Sequence, residues 1–320
     1  MLPFVKRDLE ILKSANDVRV IDFKMTPSKI WELWRGVAWC DLTYSWFGKL
    51  HAFFAVLFSK ILGKKSIVVA GGDDVARVPE INYGMLLFWW KKWCPLFVFR
   101  FADRIISVSE YNAMEAVANA NVDNSKLTII HHGFDADRFK VMKDIEKEQL
   151  VITVGGIDKE RLGRKGYELF IKSAAYLPDV RFALIGKWHD DSIDYLRVMA
   201  AKNVFFAGEV TDAGLLEWFS RAKVYVQLSR HEAFGCSLAE AMLCKNVPVV
   251  SKTAAIPEVV GPEGIYIDEL NPGDIAQKIK MALSLPAEIG AAARDRIINK
   301  FPLSKRKEML LGLIREIGNG

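Results

Sequence analysis

Two glutamates are the residues of this 320-residue sequence whose spacing points most directly to shared chemistry. Glu232 and Glu240 have seven residues between them and lie within the stretch 229–250. The alternating, β-branched run Lys223–Leu228 before it reads as a strand. Gly235 marks a sharp turn, and Cys236–Cys244 carries good helix formers with Leu238, Met242 and Leu243 as the apolar set. Val247–Val250 then reads as a short buried strand. Glu232 therefore falls in the loop and Glu240 inside the helix. A helix that starts near Gly235 aims backbone N–H groups lacking intrahelical acceptors, and the positive end of its dipole, at the mouth of that loop. Such a place suits a diphosphate. Glu240 would then reach a ribose, and Glu232 whatever the diphosphate carries. The plainer reading is two solvated acids, since carboxylates are rarely buried unpaired.

A second group is basic. Leu150–Val154 reads as a buried strand ending at Gly155-Gly156-Ile157, and Arg161, Arg164, Lys165 and Gly166 precede a helix over Tyr167–Tyr176. Cations with a glycine-rich approach suit phosphate; a solvated basic loop is the alternative. A third group follows the strand Ser66–Ala70: Gly71, Gly72, Asp73 and Asp74, at a strand's C-terminal end, where ligands meet open α/β sheets. The alternative there is a plain turn with Asp74 capping the next helix. Gly208, Glu209 and Val210 close the strand Val204–Phe206 in the same way. His131 and His132 are adjacent, an arrangement that rarely converges on one ion. Asp73-Asp74 and Asp190-Asp191 are likewise adjacent pairs, and no metal is expected.

The string from His231 to Met242, followed by Val247–Val250, resembles the E-x7-E signature of the large retaining glycosyltransferase family that includes sucrose and mannose transferases, family four, group one. Ala102–Tyr111, His131–Phe139, Val154–Gly166 and Pro257–Gly261 look like further motifs of that family. The resemblance implies the GT-B architecture: α/β, two doubly wound parallel-sheet, Rossmann-like domains facing a cleft. It implies a hexosyltransferase moving a sugar from a nucleotide-diphosphate sugar to a carbohydrate or lipid-linked acceptor, without a cofactor. By matched position, Glu232 and Lys165 would be catalytic. Gly156, Arg161, Arg164, Lys165, Gly208, Glu209, Val210, Phe234, Gly235, Cys236, Ser237 and Glu240 would bind the donor, and Gly71, Gly72 and Asp74 would face the acceptor. Glycine stands at 71 and 156, where the family has histidine and arginine, and His132 replaces an asparagine. A catalytically weak nucleotide-sugar-binding protein and a GT-B nucleotide-sugar epimerase are the rival readings.

The elements that must position these residues follow from pattern and composition. The length suits two α/β domains, expected over 1–140 and 141–302, with a terminal amphipathic helix over 303–320 packing back on the first. The charged stretch Lys140–Gln149, which lacks an apolar stripe, reads as the linker. Pro3–Lys13 reads as a helix and Val18–Phe23 as a strand; the opening looks like the family's first helix with the preceding strand and loop missing, a shortened N-terminal domain. Hydrophobic content of 51% supports sizeable cores. The four cysteines show no metal spacing, and neither a signal peptide nor a spanning run is visible, so a cytoplasmic protein is expected. Residues 49–100 hold eight basic and three acidic side chains, and 84–101 mixes tryptophan with lysine. That mixture reads either as a peripheral membrane contact or as a packed helix whose lysines snorkel. A nucleic-acid partner is not expected, because the basic excess is local and no recognition motif accompanies it.

Overall fold

The computed structural model describes residues 2–318 and divides the chain into two compact units. Residues up to Gly133, together with those from Leu303 onward, form one; Phe134–Pro302 forms the other. The division falls ahead of the stretch 140–149 read as a linker. Part of that stretch is anchored within the second unit, where Lys147 Nζ donates to the carbonyls of Phe219 and Ala222.

The first unit holds a four-stranded parallel sheet in the order β1 (Leu42–Trp46), β2 (Lys65–Ala70), β3 (Arg104–Ser107) and β4 (Leu127–Ile129). Two of its helices start at side-chain caps: Thr26 accepts from the Lys29 amide, and Ser109 from the Asn112 amide. Val18–Phe23 corrects the expectation of a strand, since residues 17–24 adopt no regular structure. Ile21 and Phe23 instead pack on a cluster built from Leu33, Val37, Ala55 and Phe58. The alternation there serves side-chain packing with no ladder beside it.

The helix Leu303–Gly318 belongs to this unit and is fixed to the helix Pro3–Lys13 by a buried ion pair. Arg306 Nε and Nη2 each donate to an Asp8 carboxylate oxygen at 2.7 Å, and Nη1 donates to the carbonyls of Ile130 and His131. Tyr44 and Trp46 also donate to Asp8 Oδ2.

The second unit holds a six-stranded parallel sheet in the order β10 (Ile265–Ile267), β9 (Val247–Ser251), β8 (Ala222–Gln227), β5 (Glu148–Val154), β6 (Arg181–Ile185) and β7 (Val204–Gly208). The chain winds outward from β5 to one edge, returns to β8 and winds to the other edge. That is the strand order of doubly wound nucleotide-binding sheets, whose ligands sit at the reversal point. Here the reversal falls between β5 and β8. Tyr167, Phe170, Phe182, Val224 and Val249 are among the core residues that hold the helices on this sheet.

Replacing Arg306 with methionine leaves the buried Asp8 carboxylate without its counter-charge, with Tyr44 and Trp46 still donating to it. The expected cost is about 3–5 kcal/mol, read as a lower urea midpoint. The Asp8→Asn, Arg306→Met pair is expected to lose less than the two single changes added together.

Candidate functional site

The loops that leave β5 and β8 meet at the reversal point and bring Glu232 and Lys165 together. Lys165 Nζ lies 2.5 Å from Glu232 Oε2, with both side chains largely buried. Gln227 Nε2 donates to the same oxygen at 2.8 Å, and the Ser229 hydroxyl lies 3.4 Å from it. Tyr225 fixes the Gln227 amide through its Oε1 at 3.1 Å. Burial pushes the Glu232 carboxyl up, but the Lys165 charge and then that of Arg164 outweigh it, so Glu232 titrates below its ordinary value. The loop backbone is pinned as well: Ser251 and Thr253 hydroxyls both donate to the Ser229 carbonyl, and the Ala255 amide to that of Glu232.

The basic stretch is a short helix, Lys159–Lys165, rather than a loop. Asp158 caps it by accepting from the Arg161 amide at 2.8 Å, and Gly166 ends it at φ +68°. A β-carbon at Gly166 would come 2.6 Å from the Leu228 carbonyl oxygen, so glycine permits the close approach that sets Lys165 beside the end of β8. Arg161 is ion-paired to Asp158, which holds it on its own helix. Arg164 is the more buried of the two arginines, and its charge acts on Glu232.

Glycines 155, 156, 186 and 208 let the ends of β5, β6 and β7 approach one another. The Gly155 amide donates to the Ile185 carbonyl and that of Gly186 to Gly208, both at 2.9 Å. A β-carbon at Gly156 would lie 2.9 Å from His189 Nε2, so the imidazole occupies the space an arginine would need there. Gly208 lies beside Trp188 with φ +69°. Glu209 is exposed and paired with Lys187 at 3.2 Å, and Val210 is half-buried.

Gly235 takes φ +100° and starts the helix Cys236–Leu243. The half-buried Cys236 and Ser237 form its first turn, and Glu240 is buried in its second. Phe234 points inward, stacked on Phe134 and edge-on to Phe301, so a ligand at this turn would meet its backbone.

The edge after β2 belongs to the first unit. No helix follows Asp74 directly; its buried carboxylate accepts from the amides of Gly48, Gly71 and Gly72 at 2.7 to 3.0 Å. Burial, then the charge of Asp73, push Asp74 up to about 7. Gly71 is bare for a steric reason: a β-carbon there would come 2.0 Å from the ring of Phe47. Phe47 itself takes φ +67°, a strained conformation for an aromatic residue. Its ring fills the space a side chain at 71 would need, with Lys49 Nζ 5.0 Å from the ring centroid and paired to Asp73.

Gln227, Ser229, His189 and Phe47 were not singled out by the sequence reading. A glutamine closing an apolar strand was the available signal for Gln227, whereas nothing in the local pattern marks Phe47. Among the described residues, no three His, Cys, Asp or Glu side chains converge in an arrangement able to hold a metal ion.

The family described as "Glycosyl transferases group 1" matches residues 135–300. A D-inositol 3-phosphate glycosyltransferase of Mycobacterium sp. (strain KMS) is 28% identical over 212 residues, 60% of this chain and 47% of that protein. The serotype-specific mannosyltransferase WbdA of Escherichia coli is 24% identical over 58% of this chain and 25% of its own. The chain thus spans less than half the length of these curated relatives. Among solved structures, Anabaena HepE in complex with UDP and glucose aligns with a TM-score of 0.77 at 18% identity, over 90% of this chain and 82% of that one. Sucrose-phosphate synthase from Thermosynechococcus elongatus gives 0.76 at 19% identity, over 95% and 86%. The fold is GT-B.

Two outcomes test this geometry. Lys165→Met and Glu232→Gln are each expected to cost about 3 kcal/mol, and the double change less than their sum. Because the folded Glu232 titrates below its unfolded value, its contribution is complete above the ordinary glutamate range. It fades as pH falls through the lowered folded value. Lys165→Met should weaken that acid limb in a denaturation series against pH. At the other edge, Gly71→Ala should cost about 1–3 kcal/mol by overpacking, whereas in a Phe47→Gly background the same alanine should cost almost nothing.

Proposed function

The chain belongs to the glycosyl transferases group 1 family, and from that membership we propose that it is a retaining glycosyltransferase. It moves a sugar from a nucleotide-diphosphate sugar to a carbohydrate or lipid-linked acceptor. One observation carries the reading: a buried carboxylate and two cations converge at the reversal point of the second sheet, beside the helix that starts at Gly235. Relatives named glycosyltransferase and mannosyltransferase support the same chemistry.

In this proposal Lys165 and Arg164 hold the donor diphosphate, helped by the first-turn amides of Cys236 and Ser237. The negative charge that grows on the leaving diphosphate meets cations already in place, and such preorganised electrostatics lower the barrier. Glu232 orients the donor sugar, and the diphosphate competes with it for Lys165. Glu240 takes the ribose hydroxyls. The ends of β6 and β7, with Gly208 through Val210, receive the base. Gly71, Gly72 and the Asp74-ordered loop face the acceptor. Configuration is retained by attack on the face the diphosphate leaves, with the leaving phosphate accepting the acceptor's proton, so no protein nucleophile enters. Charge neutralisation by Lys165 and Arg164 makes a resident metal unnecessary, and turnover should survive a chelator.

The test is a thermal-shift panel of UDP, GDP, ADP and their sugars, followed by product analysis with and without acceptors. At a hundredfold excess over Kd a native-state ligand stabilises by about 2.7 kcal/mol. Glu240→Ala should weaken nucleotide binding about tenfold, the loss of one ribose contact to a charged group. Glu232→Ala should lower turnover far more than nucleotide affinity. Tight binding without transfer overturns the enzymatic reading; isomerisation of the donor alone makes the protein an epimerase. Unchanged values in both variants remove the site assignment.

A further inference from the structure

The helix Trp93–Phe101 of the first unit is apolar on two opposite faces. Cys94, Pro95, Val98 and Phe99 are buried, and Val98 and Phe99 are part of that unit's core. On another stripe Trp93, Phe97 and Phe101 recur every fourth residue. Phe97 lies 4.6 Å from Phe101, ring centroid to centroid, and Phe53 packs against both Trp93 and Phe97. This stripe opens outward: Trp93 is 51% exposed and Phe101 45%. The turn that leads into the helix extends it, with Trp89 76% and Trp90 53% exposed and Phe88 against Trp90. A helix with large apolar side chains on its exposed as well as its buried face offers an interaction surface. This one is half in a core, and among the described residues no helix is long and apolar enough to cross a membrane.

The charged side chains of residues 81–102 are of one sign, although Arg100 also lies within electrostatic range of Asp123. No aspartate or glutamate occurs from Ile81 to Ala102, while Lys91, Lys92 and Arg100 are all exposed. Lys91 Nζ stands 4.6 Å from the Phe88 ring centroid, a cation placed among the aromatic rings. Protein interfaces are depleted of lysine, whereas the headgroup layer of a bilayer takes tryptophan and lysine together. We propose that residues 88–101 form a docking surface for an anionic lipid bilayer. Trp89, Trp90, Trp93 and Phe101 enter the interfacial layer, and Lys91, Lys92 and Arg100 face the phosphates. The first unit is thereby held at a membrane surface without a spanning segment. The assignment stands on exposure and charge and is independent of whether the protein transfers sugar.

Flotation of the full chain with phosphatidylcholine vesicles, with and without phosphatidylglycerol, decides it. The protein should float with the anionic vesicles at low salt and detach as salt rises. Trp89→Ser with Trp90→Ser should abolish flotation. Lys91→Gln with Lys92→Gln should weaken partitioning about 30-fold, near a factor of five per lysine. Both variants should keep the parent's melting temperature and nucleotide-induced shift, because they touch neither core nor candidate site. Failure of the parent to float, or flotation unchanged in both variants, overturns the proposal. So does a self-associating parent that leaves vesicles alone and becomes monomeric when the tryptophans are replaced, which would make the face a protein interface.

Discussion

A carboxylate taken out of water must be met by charge and hydrogen bonds, and Glu232 imposes that requirement on everything around it. Lys165 can reach it because Gly166 lets one helix end and the next begin against the Leu228 carbonyl. Gln227, at the end of its strand, gives Glu232 a second donor, and Tyr225 holds that amide in place. The Ser229 carbonyl is fixed from β9 and the loop beyond it. Strand order, glycine placement and buried polar residues thus answer to one anion at the reversal point of the sheet.

The two glycines at which the resemblance implies a side chain follow one steric logic. At Gly71 the vacant volume is taken by Phe47, and at Gly156 by His189. In both cases a ring from a neighbouring loop occupies space that a residue at the glycine would otherwise fill. The chemistry changes with the exchange. Relative to the histidine and arginine that the resemblance implies, the group at 71 is an aromatic face beside the Lys49–Asp73 pair and the group at 156 an imidazole. The strained backbone of Phe47 makes the first exchange an active placement, because a relaxed conformation would direct the ring elsewhere.

Much of this was legible in the sequence where local chemistry decides the outcome. Ser109 caps its helix as its position before Glu110 implies, and the terminal helix from Leu303 forms over its apolar period. The helix Lys159–Lys165 went unread because its charged composition suggested a loop, although Asp158 and Gly166 are ordinary start and stop signals. Val18–Phe23 alternates like a strand and is not one, since alternation reports only that every second side chain finds apolar company. Gly71 and Phe47 are 24 residues apart in sequence, so the clash that links them is invisible to any windowed reading. The pairing of Glu232 with Lys165 is non-local too, and the resemblance, which implied a role for each, did not pair them.

Two largely buried ion pairs among the described residues differ in character. Asp8 and Arg306 are 1% and 2% exposed by side chain, and between them accept or donate to partners on every side: each other, two carbonyls, Tyr44 and Trp46. The pair is closed to solvent and fastens two helices. Lys165 and Glu232 keep 17% and 14% exposure, and Lys165, Gln227 and Ser229 converge on a single carboxylate oxygen. Breaking such a pair in isolation is costly, and replacing it with apolar groups would often be neutral or stabilising. A pair left partly open at the strand ends suits the proposed function, in which an arriving diphosphate takes over the lysine without stranding it. That capacity for substitution is what the closed pair lacks and the open pair retains.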